Sequence, residues 1–233
     1  WVRNTLLLGI PLLGGLNLIG VAPGPHLTLQ VLDYTLTPFS VGTFSVLFGY
    51  LFHIAAFIGN LFALHLKRDD DDTLQQAAAL LYAGSALGAV FAGDFISLFI
   101  FWELLAITSV FLIWARGTKR SLKTGFRYLV IHVLSGVLLL AGALVRVHET
   151  GSIEFGYIGL EGLGAWLIFF SFGIKAAFPL LHNWLTDAYP EGTPTGSVFL
   201  SAFTTKVAVY GLAVTFPGTE VLIYIGAAMT AFP

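Results

Sequence analysis

The chain has 233 residues, of which 57% are hydrophobic and only 10% charged, with a formal net charge of −2. That excludes an ordinary water-soluble globule, in which about a quarter of residues are charged, and it argues against nucleic-acid binding. With no cysteine, thiol redox chemistry, disulfides, zinc–cysteine sites and iron–sulfur ligation are excluded too.

A helix that crosses a bilayer needs roughly 20 apolar residues. Such runs fall at Thr5–Ala22, Phe39–Leu66, Thr73–Ala92, Phe95–Ala115, Gly125–Val145, Gly162–Trp184 and Gly196–Phe216, with an incomplete one from Glu220. Pro23-Gly24-Pro25 ends the first, Lys67-Arg68 and Asp69 to Asp72 the second, Gly93-Asp94 separates the third and fourth, Arg116-Gly117 ends the fourth and Pro217-Gly218 the seventh. The pattern predicts an all-α membrane protein, a polytopic bundle of about eight transmembrane helices, forming a single transmembrane domain over 1–233. A start without Met and a last apolar stretch too short to span read as a partial chain of a longer subunit.

Basic residues orient the bundle, because cytoplasmic loops carry the excess of Lys and Arg. Arg3, the pair Lys67 and Arg68, and the group Arg116, Lys119, Arg120, Lys123 and Arg127 all fall on one side if the helices alternate; the opposite stretches Pro23–Pro38 and Val147–Glu161 carry none. Loops 67–72 and 116–127 are therefore expected to be cytoplasmic. Gly84 and Gly88 form a GxxxG pair, read as close helix packing.

Three ionisable residues lie deep in apolar runs: Glu103, Lys175 and Lys206. A charge at the centre of a membrane helix costs about 2.5–3.5 kcal/mol, so such residues are tolerated where they meet one another or water, and they mark ion pathways. Snorkelling suits a lysine near a helix end, whereas Lys175 and Lys206 sit well inside. A static pair that merely locks helices together is the structural alternative. Burial disfavours the charged form and a nearby opposite charge favours it. A Glu–Lys pair is therefore a switch: together both stay charged, and apart the lysine can release its proton.

Pro179 has no N–H for the carbonyl of Lys175, and Gly173 adds local slack, so the sixth helix is expected to kink or break beside its lysine. His182, two turns beyond Lys175 on the same predicted face, and His132, in a stripe with Tyr128 and Ser135, are candidate relays; for each, an inert, hydrogen-bonded histidine is the plain reading. His53 and Asn60 read as structural. No metal-ligand cluster, phosphate loop or nucleophile elbow appears, so no metal, no cofactor and no catalytic site are expected.

These residues carry a family resemblance. Phe101-Trp102-Glu103 resembles the FWE motif of antiporter-like membrane subunits. Lys175 with Phe178-Pro179, His182, Trp184-Leu185 and Asp187-Ala188 resembles their FPxHxWLPDA segment, with Thr186 standing in place of the proline. Pro194-Thr195 and Thr204-Thr205-Lys206 to Tyr210-Gly211 resemble the helix that follows. This is the family shared by respiratory complex I, membrane-bound hydrogenases and the multisubunit Mrp cation/proton antiporters, and the segment from Leu185 to Glu191 is most similar to the D-type Mrp members. The resemblance implies a fourteen-helix subunit with two inverted repeats, of which this chain holds the second to ninth helices. It also implies roles: Glu103 as the switching carboxylate, Lys175 as the central proton carrier and Lys206 as the onward relay.

The function expected is therefore ion translocation by an antiporter-like subunit of a multisubunit complex, foremost an Mrp-type Na⁺/H⁺ antiporter. The alternative within the class is a proton-pumping subunit of an NADH:quinone oxidoreductase or a membrane-bound hydrogenase; outside it, a structural subunit with Glu103 and Lys175 as a fixed pair. Expected partners are other membrane subunits of a hetero-oligomer, the lipid bilayer, H⁺ and Na⁺, in a prokaryotic inner membrane.

Overall fold

The computed structural model describes residues 2–65 and 72–231. Lys67, Arg68 and the acidic run that follows lie outside the described residues, apart from the backbone of Asp72, and with them the expected 67–72 loop. Among the described residues, five segments are long and apolar enough to cross a membrane, and two shorter apolar helices accompany them. The chain is an integral membrane protein built as a helical bundle.

α1 (Val2–Asn17) packs on α2 (Thr43–His65). Pro11 inside α1 cannot donate to the carbonyl of Leu7; Asn60 of α2 does so instead, Nδ2 to Leu7 O at 2.8 Å. Gly14 makes room for the ring of His53. Both α2 residues read as structural are thus spent on this helix pair.

Between these helices lies a hairpin that hydropathy does not reveal. β1 (Gly24–Val31) pairs antiparallel with β2 (Tyr34–Val41) through a tight turn at Leu32–Asp33, with Leu32 at φ 53°. Leu27, Leu29 and Val31 alternate with polar residues, the period of a strand. β2 takes Phe39 to Val41 away from the predicted second helix, which begins at Thr43.

α3 (Asp72–Phe91) and α4 (Phe95–Trp114) form a tight pair. Gly88 lies against the ring of Phe101, while Gly84 meets open space, so close packing involves one glycine of the predicted pair. Asp94 caps α4, accepting from Ser97 N at 2.7 Å and Ser97 Oγ at 2.6 Å, and it also accepts from Thr37 N at 2.6 Å. Backbone bonds from Gly93 N to Thr37 O, Phe95 N to Ile153 O and Phe155 N to Gly93 O gather the hairpin, the α3–α4 turn and the connection after α5 into one knot.

α5 (Lys119–Thr150) is much longer than the predicted Gly125–Val145. A Thr118–Ser121 capping box starts it, so Lys119, Arg120, Lys123 and Arg127 occupy its first turns rather than a loop. α6 (Gly162–Ala176) lies along it. A methyl group on Gly142 or Gly164 would collide with the carbonyl of the other, the close backbone approach that small residues permit in membranes.

The predicted sixth and seventh helices are each interrupted. α6 is followed by a turn and by α7 (Asn183–Ala188), which runs into a 3₁₀ turn at Tyr189–Glu191. α8 (Pro194–Ala202) and α9 (Thr204–Thr215) are separated at Phe203. α10 (Glu220–Ala231) closes the described chain and has no buried residue.

Candidate functional site

α6 ends sharply at Ala176. Ala177 takes a left-handed conformation, φ 61°, and Phe178 N donates to Gly173 O at 3.0 Å, the pattern of a Schellman cap. A methyl on Gly173 would strike the Phe178 ring; the glycine thus admits that ring rather than supplying slack. Leu180 is left-handed as well, at φ 71°. Such conformations cost about 1–2 kcal/mol for a residue with a side chain and persist where the surroundings impose them. Pro179 stands in the middle of this turn, which a continuing helix cannot pass. Trp184 of α7 completes the break by donating Nε1 to the carbonyl of Ile174 at 2.8 Å.

This termination leaves Lys175 in the last turn of α6, fully buried. Its ammonium donates to the carbonyl of Trp102 and lies 4.3 Å from the centre of the Trp102 ring, a cation–π contact. Trp102 is itself held: Nε1 donates to Ser135 Oγ at 2.9 Å, Ser135 Oγ donates to Ser171 O at 2.9 Å, and Ser171 Oγ donates to Ser135 O at 2.7 Å. These serines bind α5 to α6 and fix the face of α4 on which Lys175 rests. Helical spacing puts Ser135 in a polar stripe but gives no role to Trp102 or Ser171.

Glu103 follows Trp102 and is half-buried. It and Lys175 act on each other through space without forming a direct ion pair. Its Oε1 is sealed from solvent without a hydrogen-bond partner among the described residues and is tucked against Gly136 of α5, where any side chain would displace it.

His132 lies one turn before Gly136 and is completely buried. Its ring sits 4.1 Å from that of Tyr128 and 4.4 Å from that of Trp184, and neither ring nitrogen has a hydrogen-bond partner among the described residues. The charge of Lys175 reaches it. Three polar atoms, Glu103 Oε1 and both nitrogens of His132, therefore keep unused bonding capacity around one buried ammonium; buried polar atoms are nearly always partnered. Tyr128, the next polar residue on α5, has its hydroxyl 2.8 Å from Ser109 Oγ.

The other two candidates lie elsewhere. His182 is exposed at the start of α7. The expected shared face with Lys175 does not exist, because the helix that would have created it stops at Ala176. Lys206 is on an exposed face of α9 rather than in the interior, its Nζ donating to Ser201 O at 2.7 Å. The structure thus brings together Glu103, Lys175 and His132 and leaves His182 and Lys206 outside that group.

Beyond the break, basic residues hold the α7 segment. Arg127 Nη2 is 3.1 Å from Asp187 Oδ2, Arg120 Nε is 2.9 Å from Glu191 Oε1, and Arg116 donates to the carbonyl of Pro190. The Asp187-Ala188 part of the motif is thereby tied to the first turns of α5.

Among the described residues, no group of three or more His, Asp or Glu is arranged to hold a metal. The model for the NADH:quinone oxidoreductase/Mrp antiporter transmembrane family matches residues 92–232. The chain is 27% identical over 192 residues to hydrogenase-4 component B of Escherichia coli (strain K12), covering 77% of this chain and 28% of that protein. It is 29% identical over 176 residues to the D subunit of the Na⁺/H⁺ antiporter of Bacillus subtilis (strain 168), covering 69% and 36% respectively. In fold it is similar to a chain of the Mrp complex from Dietzia sp. DQ12-45-1b, with a TM-score of 0.75 and 22% identity over 96% of this chain and 46% of that one. The chain thus spans about a third of the length of these curated relatives. With the family model matching more than half of its residues, among them the broken span and Glu103, the chain belongs to the NADH:quinone oxidoreductase/Mrp antiporter transmembrane family.

Proposed function

We propose that this chain is the proton-handling core of an ion-translocating, antiporter-like subunit in a multisubunit complex of a prokaryotic inner membrane, with Lys175 as the group that takes up and releases the proton. Full burial of Lys175 at a helix end, on a backbone carbonyl rather than on a carboxylate, carries this reading. An ammonium held that way keeps its charge only while neighbouring dipoles and Glu103 favour it. Glu103 approaching Lys175 favours the charged amine, and Glu103 withdrawn against Gly136 favours proton release. His132, with both ring nitrogens unpartnered among the described residues, is the group we assign to receive that proton. Lys206, exposed on α9, is the onward station towards whatever packs on that face.

Exchange of H⁺ for Na⁺ in an Mrp-type complex is the form we favour, supported by the likeness of the segment from Leu185 to Glu191 to the D-type Mrp members. Members of the family in redox complexes are the second reading, since hydrogenase-4 component B aligns over more of this chain than the Bacillus antiporter protein does. The basic first turns of α5 would then face the cytoplasm.

The test is Lys175→Ala in the full-length subunit within its complex, with assembly checked by co-purification. Cation-driven proton movement in everted vesicles should fall on the order of 10²-fold or more, the usual contribution of a positioned proton-transfer group. His182→Ala should leave it near the parent level. Undiminished flux in an assembled Lys175→Ala complex would show that the Glu103–Lys175 region is only structural.

A further inference from the structure

The interruption between α8 and α9 has no proline or glycine to cause it: the sequence there is Leu200-Ser201-Ala202-Phe203-Thr204-Thr205-Lys206. Phe203 departs from helical geometry, φ −114° and ψ −60°. Within a bilayer, backbone groups freed by a break must find other partners, and here three of them meet side chains. Thr204 N, which a continuous helix would direct to Leu200 O, donates to Tyr82 Oη of α3 at 2.9 Å. Leu200 O accepts instead from Tyr189 Oη of the 3₁₀ turn at 2.8 Å. Ser201 O, the natural acceptor for Thr205 N, is taken by Lys206 Nζ at 2.7 Å. Tyr82 Oη is also 2.5 Å from Thr204 Oγ1, and its side chain is fully buried. Below the break the ladder resumes with Val207 N to Phe203 O at 2.9 Å.

We propose that Tyr82 and Tyr189 are positioning residues: their hydroxyls hold the span open at Phe203 and so expose the Ser201 carbonyl on which the Lys206 ammonium rests. The logic is competitive. Without the Tyr82 hydroxyl, Thr204 N turns to Leu200 O, its acceptor in a continuous helix, and without the Tyr189 hydroxyl that carbonyl is free to receive it. Once Thr204 N closes on Leu200 O, Thr205 N reaches Ser201 O and displaces Lys206 from its anchor. Tyr82 comes from α3 and Tyr189 from the segment just after α7, so the interruption is set from two sides. Tyr189 also links it to the first break, since the arginine-held residues Asp187, Pro190 and Glu191 surround it in sequence. A shift of α7 would withdraw the Tyr189 hydroxyl from Leu200 O and change where Lys206 is held. In importance to transport, this inference rests on the Lys206 role proposed above; in geometry it does not.

The experiment uses spin labels at Val198 and Val209, exposed positions on either side of the break, introduced as cysteines after any others in the complex are replaced. Their separation is read by pulsed electron resonance in the full-length subunit within its complex, next to the ion exchange rate. Tyr82→Phe, and more strongly Tyr82→Phe with Tyr189→Phe, should move the distance towards that of an unbroken helix, about 16 Å between the two Cα atoms. The exchange rate should fall to that of Lys206→Ala. Tyr210→Phe is the control, removing a buried hydroxyl that serves Val90 O on α3 and not the break; it should leave the distance alone. An unchanged distance in the double variant overturns the proposal, as does an equal shift in the Tyr210→Phe control. A shifted distance with undiminished exchange upholds the hydroxyl pair and sinks instead the transport role given to Lys206.

Discussion

The two interrupted spans achieve the same topology by different means. After Lys175 the backbone itself turns: Ala177 and Leu180 are left-handed, Phe178 N returns to Gly173 O, and Pro179 sits within the turn. At Phe203 the chain omits only a single helical residue, and the freed groups are met by hydroxyls from α3 and the 3₁₀ turn. The first break is encoded within its own few residues and survives as long as they do. The second exists by virtue of its neighbours. The lysines differ in parallel: Lys175 is buried against Trp102, and Lys206 lies exposed on the carbonyl that its break releases.

That contrast is open to test beyond the flux and distance measurements above. Trp184→Phe removes a tertiary bond at the first break and leaves the Ile174 carbonyl with Ala177 N, at 3.2 Å, as its donor. It should lower stability by about 0.5–1.5 kcal/mol, the net contribution of one hydrogen bond, while the spacing across the break stays as it was. Thermal unfolding of the purified subunit reads the first quantity and label distances read the second. Collapse of the break in this variant would mean that it is as dependent on neighbours as the one at Phe203. Leu180→Gly acts in the opposite sense. Leu180 is 88% exposed, so little packing is lost, and relief of the left-handed strain should stabilise by about 1 kcal/mol; a lower melting temperature would argue that no strain is stored there. Arg120→Gln should have the smallest effect, no more than about 1 kcal/mol for a pair with one exposed partner. That difference should fade as salt is raised, and a salt-independent effect would point to packing by the arginine stem instead.

Much of this architecture is legible in the sequence because the membrane imposes length and polarity so strictly. Seven apolar runs and the punctuation between them anticipate the spans, and Pro179 four residues after Lys175 announces the first break. The cost of a lone charge in lipid points to Glu103 meeting Lys175, but the same argument groups Lys206 with them, and His132 enters the group only in the structure. The hairpin stays hidden because a hydropathy window reads Pro23–Pro38 as a connection and merges the last strand residues, Phe39 to Val41, with the helix that follows them. The Phe203 break leaves no trace in its own residues, since its cause lies at Tyr82 and Tyr189. Counting along a continuous helix puts His182 on the Lys175 face, but that helix ends at Ala176. Distance from a helix end puts Lys206 inside the bundle, yet it gives only depth in the bilayer and not the direction a side chain faces.

The knot around Gly93 and Asp94 bears on how the chain comes to be made. Thr37 bonds to both residues, and the partners Ile153 and Phe155 emerge only after α5 has been synthesised. The hairpin thus leaves the ribosome early, yet its surroundings are completed only when the fourth and fifth helices are already in the bilayer. Insertion of this region therefore has an early contact, Asp94 with Thr37 and Ser97, and a late one, when Ile153 and Phe155 reach the backbone of Phe95 and Gly93.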